Sequence, residues 1–322
     1  MSGPEARLVD AVGTRHAPAR REARIVSLVP SITELVCDLG LAAQLVGRTG
    51  FCVHPREVVR RIPKVGGTKD VDLDKLRALR ATHVILNIDE NREEDARAIA
   101  GFVPELIVTH PLAPLDNLAL YRLIGGVFGR EDQAEALCGE FEAAYAALQS
   151  AARNFPPDRV LYLIWKNPWM TVSRDTYVSR MLALARWETV PADCADRYPK
   201  IALNSEVLDG ARVVLLSSEP YLFREAHVSE LRAESFMREK NIALIDGEMT
   251  AWYGSRAIEG LRYLRRFRES LDRAAAVPRR HFSVDEGDAL SPQQGLGAQL
   301  GDVSFAEEVR FARQKHDAGS VE

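Results

Sequence analysis

No run of about 20 apolar residues occurs in the 322-residue chain, so no segment reads as a membrane-spanning helix. The first 23 residues hold no apolar core of an export signal, which, with Met1 as the start, predicts a cytoplasmic protein. Basic excess is missing too. Lys plus Arg (42) against Asp plus Glu (46) leaves a net charge of −4, which argues against a nucleic-acid partner. Cysteine is scarce and scattered. Cys37, Cys52, Cys138 and Cys194 form no CxxC, so neither a zinc site nor a disulfide framework is expected and the thiols read as reduced. The common catalytic signatures are absent as well: there is no G-x-S-x-G, H-E-x-x-H, G-x-x-x-x-G-K-[ST] or G-x-G-x-x-G. Gly66-Gly67-Thr68-Lys69 is glycine-rich but lacks phosphate-loop spacing and reads as a tight turn.

What the chain does have is alternation. Ile25 to Val29 is a short apolar run suited to a buried parallel strand. Ser31 with Glu34 three residues on reads as a capping box, and Ile32, Leu35, Val36 and Leu39 share one helical face before Gly40. A helix over 72–80, a strand over 83–87, a helix capped by Asn91 with Glu94, and a strand over 106–109 follow. Residues 131–154 differ. Ala134, Leu137, Phe141, Ala144, Leu148 and Ala151 recur every three or four residues until Phe155-Pro156-Pro157, predicting one helix of about 36 Å. Strand–helix alternation then restarts: strands over 160–164, 213–216 and 242–245, and helices over 177–186, 204–209, 226–239 and 255–275. Residues 79–90 align without gaps onto 208–219, so the halves echo each other; chance likeness between two buried strands is the alternative.

The expected fold class is therefore α/β: two Rossmann-like lobes with mostly parallel sheets, joined by one long rigid helix. The expected segments are a disordered N-terminal arm (1–23), an N-terminal lobe (24–130), the connecting helix (131–155), a C-terminal lobe (156–276) and a mobile tail (277–322).

In open parallel sheets ligands bind beyond the carboxyl ends of the strands. That rule selects Pro30 and Ser31; Phe51, Cys52 and His54; Gly67 and Thr68; and Asn87, Glu90 and Asn91 from the first half. From the second half it selects Trp165, Trp169, Tyr198, Glu219, Tyr221, Trp252 and Tyr253. Aromatics are only 7% of the chain, yet three of its four tryptophans fall in these loops. Aromatics in surface loops need a partner, and a wall for a large, flat, partly apolar ligand is the functional reading; loops packing on each other is the alternative. Cys52 and His54 are the candidates for axial contact with a metal, too few for a closed site. His83 reads as structural, His110 as able to reach the ligand, and His227 as solvated. Asp89, Glu90 and Glu219 form a candidate carboxylate set, with ordinary surface charge as the more frequent explanation of each singly.

Arg24-Ile25-Val26-Ser27-Leu28-Val29-Pro30-Ser31-Ile32-Thr33-Glu34-Leu35 resembles the opening strand and helix of the class III substrate-binding proteins, especially their cobalamin-binding branch. Pro63-Lys64-Val65-Gly66-Gly67 and Leu79-x-x-x-His83-Val84-Ile85-Leu86 resemble the family's next blocks, and the likeness runs from about 24 to 272. The resemblance implies two α/β lobes on a helical backbone, with cobalamin, heme or a metal chelate bound between them and no catalysis. The chain departs from transport members in its missing export signal and in the basic stretch Arg60-Arg61-Ile62-Pro63-Lys64, where a permease-docking glutamate is usual. Thr68 and Lys69 stand where cobalamin binders often place a tryptophan. Permease docking is therefore not expected, and the likeness is to cytosolic relatives. The expected function is non-enzymatic binding of cobalamin or a related corrinoid, a small-molecule metal chelate, with no catalytic cofactor, no nucleic acid and no membrane insertion. The alternatives are a heme or ferric-chelate binder, a cofactor-processing enzyme or chaperone, and an interaction module with a vestigial cleft.

Overall fold

The computed structural model describes residues 8–19, 22–192, 194–208 and 210–276. The expected tail from 277, with its Ser304–Glu307 cap, lies outside the described residues. The chain divides into two compact α/β units. The first holds residues up to Tyr145 together with Trp252–Glu259; the second holds Ala146–Ala251 and the rest of the closing helix.

In the first unit, strands β1 (Ile25–Ser27), β2 (Leu45–Arg48), β3 (His83–Asn87) and β4 (Glu105–Thr109) form one parallel sheet in the order β2-β1-β3-β4. Helices α1 (Pro30–Asp38), α2 (Arg56–Val59), α3 (Leu73–Ala78), α4 (Glu93–Ala100) and α5 (Asp116–Val127) connect or follow them. The strands are apolar because both faces of a parallel sheet are covered: Val26, Val84, Ile85, Leu86, Ile107 and Val108 are fully buried. In the second unit, β5 (Asp158–Trp165), β7 (Trp187–Thr189), β8 (Val213–Ser217) and β9 (Asn241–Ile245) are parallel, with β5 between β7 and β8 and β9 outermost. The short β6 (Met170–Thr171) adds an antiparallel hairpin to the far end of β5. Its helices are α7 (Tyr177–Ala183), α8 (Ser205–Leu208), α9 (Glu225–Ala233) and α10 (Gly247–Ala251), and α11 (Arg256–Ala276) closes the described chain.

The echo between the halves is thus a topological repeat. Each unit orders its parallel strands second–first–third–fourth. The expected long helix is α6 (Glu131–Ala152), and the division between units falls within it, after Tyr145. Its apolar stripe is buried at Ala134, Cys138, Phe141, Ala144, Leu148 and Ala152. Its first half packs on α5: Phe141 meets Tyr121 edge-on at 6.3 Å, and Arg122 donates two hydrogen bonds to Glu135.

Three local expectations are corrected. The arm before residue 24 is not wholly disordered, because residues 8–19 dock on the edge strand β4. Val12 is buried, and Ala11 N–H donates to Val108 O at 2.9 Å. The Asp10 carboxylate accepts from Val12, Thr14 and Val108 N–H and meets His16 Nε2, whose other ring nitrogen faces Glu105. An otherwise open sheet edge thereby gains a cover. The Ser31–Glu34 capping box does not form either. Val29 is the N-cap, Pro30 fills the first helical position, and Glu34 turns away to Arg256. Nor does Asn91 cap α4. Arg92 holds that position, and Asn91 is spent on the loop before it.

Candidate functional site

The loops that leave the carboxyl ends of β1, β2 and β3 are tied into one surface by buried amides. Asn91 Oδ1 accepts from Asn87 N–H at 2.8 Å, and Asn91 Nδ2 donates to Leu28 O and to Thr68 O. Asn87 Oδ1 accepts from Asp89 N–H. Both asparagines are 1% exposed, so these two candidate contacts are struts that shape the loops. Gly66 sits at φ 102°, where a Cβ would lie 2.3 Å from Asp70 O; the turn requires glycine. The Gly67 Cβ position lies 3.3 Å from the Phe51 ring, which places these two candidates side by side.

Cys52 is fully buried. Thr33 Oγ1 donates to its Sγ at 3.0 Å, Thr49 Oγ1 lies 3.2 Å away, and burial pushes the thiol pKa up. It is a core thiol, which removes it as an axial ligand. Phe51 and Val53 on either side of it point outward, at 62% and 45% exposure. Leu115, after β4, and Leu222, after β8, are also exposed. Four of the five exposed large hydrophobics among the described residues therefore sit beyond strand carboxyl ends. Val53, Leu115 and Leu222 were missed from sequence; alternation around a buried Cys52 was the available signal for Val53.

Trp252 and Tyr253 were expected in the C-terminal lobe. They cluster instead with the first unit. Tyr253 Oη donates to Glu90 Oε1 at 2.5 Å, and Trp252 meets the half-buried His54 ring edge-on at 5.8 Å. Gly254 N–H donates to Asn117 Oδ1, Tyr121 Oη donates to Gly254 O, and the Arg256 guanidinium lies over the Trp252 ring. Gly254, at φ 79°, passes so close to α1 that a Cβ would lie 3.1 Å from Ser31 O. Ser31 itself is buried.

This surface has a charged floor. Burial pushes the Glu90 carboxyl up to about 7; the Tyr253 hydrogen bond opposes the rise and Asp89 adds to it. Burial likewise pushes Lys69 below the usual lysine range, while Glu90 and Asp89 hold it up. Lys69 Nζ donates to Asp89 O at 2.9 Å, and Asp89 Oδ1 lies 3.3 Å from His110 Nε2. His110 thus joins the edge of this surface through Asp89. His83 does not; its ring packs on Phe128.

In the second unit the loops after β5 and β8 bring Trp165, Trp169, Tyr221 and Phe223 together. Trp165 meets Tyr221 edge-on at 5.6 Å, Tyr221 lies 4.7 Å from Phe223, and Trp169 stacks on Phe223 at 6.1 Å. Trp169 also packs on the unit's hydrophobic core, so part of its area is structural. His227 is not simply solvated: its Nδ1 accepts from Arg224 N–H, and its Nε2 lies 3.2 Å from Tyr221 Oη. Glu219 lies beside Gly247, whose Cβ position is 2.5 Å from Glu219 Cγ. Tyr198 carries the Arg197 guanidinium over its ring.

Comparisons with known proteins agree with this architecture. The vitamin B12-binding protein of Pectobacterium atrosepticum is 22% identical over 184 residues, 56% of this chain and 66% of that one, just under two thirds of its length. Among solved structures, the periplasmic vitamin B12 binding protein BtuF of Vibrio cholerae superposes with a TM-score of 0.67 at 14% identity, covering 78% of this chain and 98% of that one. The periplasmic heme-binding protein RhuT from Roseiflexus sp. RS-1, in its apo form, gives 0.67 at 24% identity, covering 77% and 98%. These relatives are binding proteins, not enzymes. Their periplasmic setting, which the matching family shares, overturns the expected cytoplasmic location, and the likeness to cytosolic relatives is not shown. The case against a permease partner rested partly on that location and loses this support. Residues 25–204, more than half of the sequence, match the family model described as periplasmic binding protein, and the chain belongs to that family.

Proposed function

We propose that the chain binds a cobalamin-type corrinoid, with heme or another metal chelate as the second reading. The observation that carries it is the concentration of exposed or half-buried apolar and aromatic side chains beyond the strand carboxyl ends of each unit: Phe51, Val53 and Trp252 in the first, Trp165, Tyr221 and Leu222 in the second. Such surface suits a broad, partly apolar ring system. Polar groups among it, Lys69, Glu90 and His54, suit a ligand with a polar rim. Among the described residues no three His, Cys, Asp or Glu side chains gather as metal ligands would, which favours a metal that arrives in its own chelating ring. The half-buried His54, on the same surface as Phe51 and Trp252, is the specific observation favouring heme, since imidazole suits iron. In this reading the loaded protein hands its cargo to an ABC-type permease, the usual partner of periplasmic binding proteins.

Calorimetry of the full chain with cyanocobalamin, hemin and a ferric siderophore tests the reading. Saturable binding of cyanocobalamin, tighter than that of the other two, is expected. Hemin binding that collapses in His54→Ala, with no cobalamin binding, selects the second reading. No binding of any of the three overturns both.

A further inference from the structure

The opposite end of the second unit's sheet carries a different chemistry. Three adjacent strands each deliver an arginine at their amino ends: Arg186 immediately before β7, Arg159 as the second residue of β5, and Arg212 immediately before β8. The backbone locks them at one level. Asp158 N–H donates to Arg186 O at 3.0 Å, and Arg212 N–H donates to Arg159 O at 3.3 Å. Arg180, from α7, and Arg174, from the loop after β6, complete the lining of a groove of about 840 Å³. Its acidic lining residues are Asp158 and Glu188; with Asp175, the partner of Arg180, three carboxylates stand against five guanidinium groups. Ion pairs position the guanidinium groups. Arg212 bonds to both Asp158 oxygens at 3.2 Å, Arg174 contacts Glu188, and Arg180 reaches Asp175 at 3.3 Å.

The groove wall has a surplus of donors below it as well. Trp187 lines the groove, and its buried indole Nε1 has no acceptor. The guanidinium of Arg268, 1% exposed, lies 4.7 Å from that ring and leaves its Nη1 without an acceptor. Buried donors are normally satisfied, so this end of the unit is rich in donors and short of acceptors. Arg186 also holds φ 58°, a conformation that costs energy for a residue with a Cβ. The corresponding end of the first sheet also holds an arginine at positive φ, Arg80 at 48°, but of its four strands only β1 is opened by an arginine, Arg24. There Arg24 spends its guanidinium on Leu79 O and Arg80 O, and β3 opens with His83.

We propose that this groove binds a phosphate-bearing anion, at a site separate from the surface beyond the strand carboxyl ends. Guanidinium forks match phosphate oxygens bidentately and remain charged at every working pH, and several in one concavity select a multiply charged group. Along β5, Trp165 lies six residues beyond Arg159, about 20 Å at 3.3 Å per residue. The groove is thus free to be filled whether or not a chelate is bound.

The test is calorimetric titration of the full chain with inorganic pyrophosphate at low salt, beside sedimentation with phosphatidylcholine vesicles containing or lacking phosphatidylglycerol. The variants are Arg186→Gly, which removes the guanidinium and suits the left-handed backbone, and Arg180→Gln, which keeps the helix. Arg97→Gln, on the first unit, is the control for charge alone. Pyrophosphate binding weakened about tenfold or more in both groove variants, and unchanged in Arg97→Gln, is expected. Pyrophosphate binding without vesicle binding assigns a soluble phosphate compound. Sedimentation only with phosphatidylglycerol, lost in the same variants, assigns a lipid headgroup. Binding to neither probe overturns the proposal, as does an equal loss in Arg97→Gln. If Arg186→Gly does not fold, Arg180→Gln decides alone.

Discussion

Arg256 donates two hydrogen bonds, of 2.7 and 2.6 Å, to the two carboxylate oxygens of Glu34, 222 residues earlier in the chain. Both side chains are mostly buried, at 11% and 16% exposure. The pair pins the start of α11 to α1 and so holds Trp252 and Tyr253 on the first unit. Hydrogen bonds to charged groups contribute about 1.5–3 kcal/mol, and a stranded partly buried charge adds to the loss. Glu34→Ala should therefore lower stability by at least about 1.5 kcal/mol in denaturant melts. The double variant with Arg256→Ala should cost less than the sum of the single ones. Additive costs would show that the pair does not interact.

Phe51 is the cleanest probe of the binding surface because it is 62% exposed and little of the fold rests on it. Phe51→Ala should leave melting within about 0.5 kcal/mol of the parent, the usual range for surface substitutions. It should weaken chelate binding by about 1–3 kcal/mol, the scale of a buried aromatic contact. Full affinity in calorimetry would remove Phe51 from the site.

Glu90 sets a pH dependence whose sign can be worked out. Its carboxyl titrates near 7 in the folded chain, against an ordinary value of 4.5. Between those values the folded state holds more protons than the unfolded one, so stability falls as pH rises through the window and levels off above it. Glu90→Gln keeps an acceptor for Tyr253 and removes the charge. The variant should melt with a flatter pH profile from 4.5 to 7 and gain on the parent at pH 8. Parallel profiles would show that Glu90 ionises normally.

Asp10 tests the docked N-terminal segment. Its carboxylate serves three backbone N–H groups and His16, and the side chain is fully buried. Unmade buried hydrogen bonds cost about 1–3 kcal/mol. Asp10→Ala should cost at least that much and speed amide exchange along β4. Unchanged exchange at Val108 would mean that the segment does not cover that edge.

Ala144 lies on the buried stripe of α6, at 6% exposure. Proline there removes a helix hydrogen bond and clashes with the preceding turn, at a cost of about 3 kcal/mol or more. A melt unchanged by Ala144→Pro would show that the segment is not one continuous packed helix.

Local pattern alone gave six of the parallel strands and the long helix, but missed β2, β7 and α5, whose short or interrupted apolar runs carry little periodicity. Short runs such as Val84-Ile85-Leu86 and Val213-Val214-Leu215-Leu216 are apolar on both faces, which only a covered parallel strand needs, and the stripe from Ala134 to Leu148 has a helix's period. The rule that ligands lie beyond strand carboxyl ends drew attention to the loops that hold Phe51, His54, Glu90, Trp165 and Tyr221, and these side chains do sit on the surfaces at those ends. Partnership was not legible, because it depends on residues that meet only after folding. Cys52 looked available until Thr33 and Thr49 closed on it, and Glu34 looked like half of a cap until Arg256 claimed it. Asn87 and Asn91 looked like ligand contacts, but buried carbonyls and N–H groups needed their amides. Trp252 and Tyr253 follow β9 in the chain yet belong to the first unit, since the Glu90, Asn117 and Ser31 positions that receive them lie more than a hundred residues away in sequence. Periodicity reports what a segment must bury; only the tertiary structure decides which distant polar group satisfies which, and those pairings determine which side chains remain for a ligand.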